Sequence, residues 1–171
     1  ALPRPTLPNL SDPSQLNFIF LAYDTQMKLA ESWQWSADLQ RELRPDLMLS
    51  VAYVGTRTNR MMNPVNANMA APGVGPKGPR RPLFSVNPVI PDIHYRTNAF
   101  GAKYHSLQVN LDKRYGNGLT GRLAYTWSKN LTNTVGPNAV QFPPMNSNCI
   151  ACDWGPANED RRHMLVISHV Y

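Results

Sequence analysis

No stretch of the 171 residues approaches the ~20 consecutive apolar positions that a membrane-crossing helix needs. That excludes a helical membrane protein. It leaves strand-built ones open, because barrel strands are short and only half apolar. Charge is scarce as well: 16% of the residues are Asp, Glu, Lys or Arg, against roughly 25% in an ordinary soluble domain. Cysteine is limited to Cys149 and Cys152, too few for a disulfide-rich scaffold. Asp153 follows the second cysteine where covalent haem attachment needs His, no βαβ pattern surrounds the pair as in thioredoxin-like proteins, and zinc would lack two of four ligands. The pair is open to two readings, a local loop disulfide in an oxidising compartment or two free thiols. The first residues, Ala1-Leu2-Pro3-Arg4-Pro5, have neither the basic nor the apolar region of a signal peptide. The last ones, Val166 to Tyr171, break off inside a strand-like run. Both ends suggest a piece of something longer.

Catalytic motifs are missing too. There is no Gly-rich phosphate loop ending in Lys and Ser or Thr, and no Gly-x-Ser-x-Gly elbow. His94, His105, His163 and His169 are dispersed, and the densest cluster is Asp160, Arg161, Arg162 and His163. A polar network that fixes the chain where a loop re-enters a sheet explains that cluster better than a metal or catalytic site. No cofactor, no metal and no enzymatic activity are expected. The net charge of +6 comes from cations beside turns, such as Arg41 and Arg44, Arg57 and Arg60, and Lys113 and Arg114. These read as solvated strand ends, and no nucleic-acid motif accompanies them.

What is present is alternation. Leu29, Trp33, Trp35, Ala37, Leu39 and Leu43 interleave with Ser32, Gln34, Ser36, Asp38 and Gln40, the mark of a strand with one apolar and one polar face. Ala37 to Leu43 also contains good helix formers, but thirteen residues of period two outweigh them. Arg44-Pro45-Asp46 predicts a tight turn. Leu47, Leu49, Val51 and Tyr53 then alternate with Met48, Ser50, Ala52 and Val54. A third alternating run holds His105, Leu107, Val109 and Leu111, and Gly116-Asn117-Gly118 gives a strong hairpin signal. Beyond it Leu119, Gly121, Leu123, Tyr125 and Trp127 alternate again. The predicted strands are 28–43, 47–57, 104–115, 119–129 and 161–171, the last resting on propensity because Met164 to Ile167 are consecutively apolar. Pro-, Gly- and Asn-rich loops are predicted over 58–102 and 130–159. Residues 1–26 are proline-rich and irregular, with Leu16 to Tyr23 either a strand or a buried loop segment.

The connections therefore run short, long, short, long, the asymmetry of outer-membrane barrels with tight periplasmic turns and long extracellular loops. Hydrocarbon offers no hydrogen bonds, so strands crossing it pair on both sides, with one face to lipid and one to the lumen. The expected fold is all-β: an antiparallel meander of about five strands forming an open piece of a transmembrane barrel. Gln34, Asp38, Gln40, Gln108, Asn110, Asp112, Thr120 and Arg122 are candidates to face the lumen. Tyr53, Tyr125 and Trp127 fall where an outer aromatic girdle would lie, with Tyr115 and Tyr171 at the other end. A secreted β-rich binding or adhesion module is the alternative, and it would bury Trp33, Trp35, Leu107 and Leu123 in one core.

Particular strings carry a resemblance. Ser32-Trp33-Gln34-Trp35 through Gln40-Arg41-Glu42-Leu43, then Val51-Ala52-Tyr53-Val54-Gly55-Thr56-Arg57, resemble two successive strands of TonB-dependent receptors of the Oar-like type known from acidobacterial genomes. Tyr104-His105-Ser106-Leu107-Gln108-Val109, Lys113-Arg114, Gly118-Leu119 and Tyr125-Thr126-Trp127-Ser128-Lys129 are similar to the hairpin that follows. Asp153-Trp154-Gly155-Pro156 with Asp160-Arg161-Arg162-His163 resembles the next loop-to-strand junction. The likeness runs from about residue 27 to the end. It implies an outer-membrane barrel of about 22 strands enclosing an N-terminal plug, and energised uptake of an unidentified solute through contact with TonB. No counterpart of the plug or of the TonB-contacting segment occurs in this sequence. The implied partners are outer-membrane lipid, the rest of the barrel, the plug, and TonB by way of the missing N-terminal part.

Overall fold

The computed structural model describes residues 20–116, 118–134 and 142–171. The side chain of Tyr115 also lies outside the described set, as do the proline-rich start, the hairpin residue Asn117 and the Gly136-Pro137-Asn138 segment. The described residues form one seven-stranded sheet with no α-helix. Its strands are β1 (Phe20–Tyr23), β2 (Glu31–Arg44), β3 (Leu47–Asn66), β4 (Ile93–Gly116), β5 (Leu119–Thr132), β6 (Gly155–Pro156) and β7 (His163–Val170). The four long strands pair antiparallel in chain order, and β7 follows on the far side of β5. The all-β open antiparallel sheet is thus as expected, with two short strands added.

Ala37 to Leu43 is strand, not helix, because Ala37 to Glu42 pair residue by residue with Tyr53 to Met48 of β3. A two-residue turn of Pro45 and Asp46 joins Arg44 to its partner Leu47. Gly118 takes φ +81° in the hairpin between β4 and β5, a conformation that favours glycine. At the short-turn end Lys113 Nζ donates to Asp46 Oδ2 at 2.6 Å, and the Arg114 amide donates to the Asp46 carbonyl at 2.8 Å. This ties the first turn to β4.

The strands are longer than their alternation indicated. Residues 58–66 and 93–102, expected as loop, prolong β3 and β4 into an antiparallel extension. Bulges between Thr58 and Met61 and between Met61 and Asn63 shift the register there, so the period-two pattern is lost although pairing continues. Arg60 occupies the bulge with φ +58°, held by an ion pair to Glu31 at 3.1 Å. β5 stops at Thr132, and the edge of β4 beyond it is taken by β1, which pairs in parallel with Ile93 to Arg96. The unresolved choice over Leu16 to Tyr23 therefore ends as strand for Phe20–Tyr23. β6 interrupts the second long loop by pairing with Leu131 and Thr132.

Burial is inverted relative to a soluble domain. Phe100, 2% exposed, is the one large hydrophobic side chain buried among the described residues, beside the prolines Pro64 and Pro144, whereas Ser106 (2%), Ser50 (8%), Asn63, Asn68 and Asn133 are buried too. Trp33 (63%), Leu39 (72%) and Trp127 (55%) are exposed.

Candidate functional site

Register decides which side chains share a face, because residues directly opposite across paired strands point the same way. Going away from the short turns, one face carries Arg41, Leu49, Leu111, Leu123 and Ile167, and next Leu39, Val51, Val109, Tyr125 and Leu165. Ala37, Tyr53, Leu107, Trp127 and His163 form the third row, and Trp35, Gly55, His105 and Lys129 the fourth. Trp33, Arg57, Lys103 and Leu131 close the series. The rows are apolar in the middle and basic or aromatic at the ends. From Leu47 to Arg57 the strand covers the ~9–11 residues that a tilted strand needs to cross a bilayer.

All eight candidate polar residues lie on the opposite face. Five of them, Asp38, Gln40, Asn110, Asp112 and Arg122, meet around a pocket of about 350 Å³ that Met48 and Ser50 complete. Arg122 Nε donates to Asp112 Oδ1, and Ser50 Oγ donates to Asp38 Oδ2 at 3.4 Å. Gln34, Gln108 and Thr120 stand outside the pocket: Gln34 lies opposite Thr56, Gln108 donates to Ser106 Oγ at 3.4 Å, and Thr120 lies opposite Val170. In sequence Met48 and Ser50 are marked only as members of an alternating strand.

The apolar face holds contacts that the sequence reading missed. The Trp35 indole covers Gly55, where a β-carbon would collide with the ring, and reaches His105 with ring centroids 6.0 Å apart. The Tyr53 hydroxyl lies 2.7 Å from Nδ1 of His105, and the Tyr125 hydroxyl 2.8 Å from Nδ1 of His163. Each histidine sits diagonally across from its tyrosine, with the two rings stacked. A hydrogen bond of this kind makes a polar ring tolerable on an apolar surface. The signal was available as a repeat: Ala52-Tyr53-x-x-Thr56-Arg57 on β3 and Ala124-Tyr125-x-x-Ser128-Lys129 on β5.

A sheet whose exposed face is apolar and whose polar face is the more buried fits a protein that works in lipid. The model of the family described as outer membrane beta barrel domain matches residues 2–171. The chain belongs to that family. No curated protein and no solved structure matches it. As an outer-membrane barrel segment it resides in the outer membrane and associates with membrane lipid.

In this barrel segment hydrogen bonds join the last loop to β5. Asp160 accepts from the Asn130 amide at 2.7 Å and from Arg162 Nε at 3.2 Å. The amide hydrogen bond, reinforced by Arg162 and Lys129, holds its carboxyl below the usual carboxylate range. Arg161 contributes through its backbone, its carbonyl accepting from Ser128 Oγ at 2.7 Å, and the Arg162 carbonyl accepts from the Ser128 amide. Together with the Tyr125–His163 pair these bonds pin β7 to the upper half of β5. Cys149 and Cys152 are joined by a disulfide in the loop that precedes β6.

The barrel's first long loop, residues 67–92, is ordered by its own side chains. Buried Asn68 donates to the carbonyls of Ile90 and Pro91 and accepts from the Leu83 amide, while Asn66 accepts from the amides of Asn68 and Ile93. Arg81 pairs with Asp92 at 3.0 Å. The second loop docks on the first: Ser147 Oγ accepts from the Asn66 amide at 2.8 Å. Among the described residues no group of three His, Cys, Asp or Glu side chains is placed to hold a metal ion.

Proposed function

We propose that the chain is part of the wall of a TonB-dependent transporter, with its apolar face against lipid and its polar face lining the lumen. The loops around 67–92 and 142–162 then stand outside the cell and help to capture a solute. The inverted burial carries this reading. Burying apolar area is worth about 25 cal/mol per Å², so exposed tryptophans and leucines in consecutive rows make sense where the surroundings are hydrocarbon. Gln34, Asp38, Gln40, Gln108, Asn110, Asp112, Thr120 and Arg122 then face water or the plug. Contact with TonB then falls to a part of the receptor outside this stretch of wall. The resemblance to Oar-like receptors supports the transporter reading, and the solute is unidentified.

Single cysteines test the orientation. In cells, a membrane-impermeant maleimide should label Asp38→Cys and Asn110→Cys, and leave Leu39→Cys and Val109→Cys unlabelled. The reverse pattern would sink the assignment of faces. Crosslinking in cells tests the energised part: the receptor carrying this chain should form an adduct with TonB, and a passive pore should not. A secreted binding module requires Trp33, Trp35, Leu107 and Leu123 to share a core. The first three are exposed and Leu123 is half-buried.

A further inference from the structure

Four cations on or beside the sheet are paired: Lys113 meets Asp46, Arg122 meets Asp112, Arg60 meets Glu31 and Arg162 meets Asp160. Others are not, and three exposed ones gather at the long-loop end of one face. Arg57 and Lys103 are direct cross-strand neighbours on the apolar face, and Lys129 lies diagonally from Lys103 on β5. Like charges placed opposite each other destabilise a sheet. Among the described residues none of the three has a carboxylate within ion-pair distance. Lys129 lies near Asp160, but that carboxylate is already bonded to Asn130 and Arg162. Arg57 Nε donates to Asn59 Oδ1 at 3.2 Å, and Lys103 Nζ stands 5.5 Å from the centre of the Trp154 ring. Beside them is a groove of about 580 Å³ whose lining includes Arg57, Arg60, Lys103, Trp154 and Asn133 and no carboxylate.

We propose that Arg57, Lys103 and Lys129 form a seat for the phosphate of an anionic lipid in the outer leaflet. The proposal rests on the apolar face being the lipid face. Under that reading the three cations lie about one crossing length above the short turns, at the level of the headgroups: Lys129 is level with Trp35, Arg57 and Lys103 stand one row further, and Tyr53 and Trp127 lie just below. A guanidinium offers paired donors to phosphate oxygens and an ammonium adds a point charge. An anion bridging the three relieves their mutual repulsion, and the acyl chains continue over the apolar rows below.

The test uses the protein inserted in phosphatidylcholine nanodiscs doped with brominated phosphatidylglycerol or with brominated phosphatidylcholine, reading tryptophan quenching. Half-maximal quenching should need a roughly fivefold lower fraction of the anionic lipid. The preference should vanish in the Arg57→Gln/Lys103→Gln/Lys129→Gln variant and survive millimolar inorganic phosphate. Equal quenching of the wild-type protein by both lipids overturns the seat and leaves the face assignment standing, and this comparison does not depend on the variant folding. A preference abolished by inorganic phosphate overturns the lipid assignment in favour of a soluble anion. No quenching by either lipid would instead remove the face assignment itself.

Discussion

Asp46 shows how one side chain can fasten a turn. Its hydrogen bond to Lys113 holds its carboxyl below the usual carboxylate range against the opposing effect of desolvation. Because the folded value is depressed, the stabilisation is present above the ordinary carboxylate value of about 3.9 and is lost as pH falls through the lower folded value. A carboxyl carbon-13 titration should therefore give Asp46 a midpoint below the ordinary value in the folded protein, and Lys113→Met should move it upward. An unchanged midpoint in that variant would show that Lys113 is not the cause. At this scale the sequence was only partly legible. The run Asp160 to His163 stands out in sequence as a polar cluster, whereas the Tyr53–His105 and Tyr125–His163 pairs have no such mark. Each joins residues far apart in sequence, and only the register makes them neighbours.

The strands themselves are the scale at which sequence speaks most clearly, and β2, the lower half of β3, β4 below Ala102 and β5 follow from period two alone. The upper parts of β3 and β4 do not. Where two bulges offset the pairing and Asn, Pro and Arg replace the apolar partners, a strand looks like a loop in sequence. β7 is the reverse case: Met164 and Val166 put apolar side chains on the polar face, opposite Thr126 and Ala124, and nothing in the structure explains it. The two-faced character has a direct consequence for substitution. Val51→Lys, in the middle apolar rows, should destabilise the folded barrel by ~2–4 kcal/mol. Asn110→Lys, on the other face of the neighbouring strand, should cost well under half of that. Urea titration of each variant in lipid vesicles measures the difference, and equal costs would mean that neither face meets hydrocarbon.

For the whole molecule, the sheet has apolar rows on one surface and two long edges, on β2 and β7, with a partner on one side only. Expressed alone without detergent, the chain should sediment as aggregate, because bare edges and an apolar surface both recruit other chains. In detergent it should show β-type circular dichroism. A folded, detergent-free monomer would count against the membrane assignment. Fold class could be read from composition and spacing together, since low charge, no helical span and alternating connection lengths all pointed one way. The order within the long loops could not, because Asn68 and Ser147 act through backbone groups that no pattern marks.

The alternation of a two-residue turn with a long excursion restricts how such a wall can change over evolutionary time. Inserting or deleting one strand would reverse every strand after it, carrying the excursions and the tight turns each to the opposite side of the membrane. Size variation among descendants of this sheet is therefore quantised in hairpins, and the natural unit of duplication is a down-and-up pair such as β4 with β5.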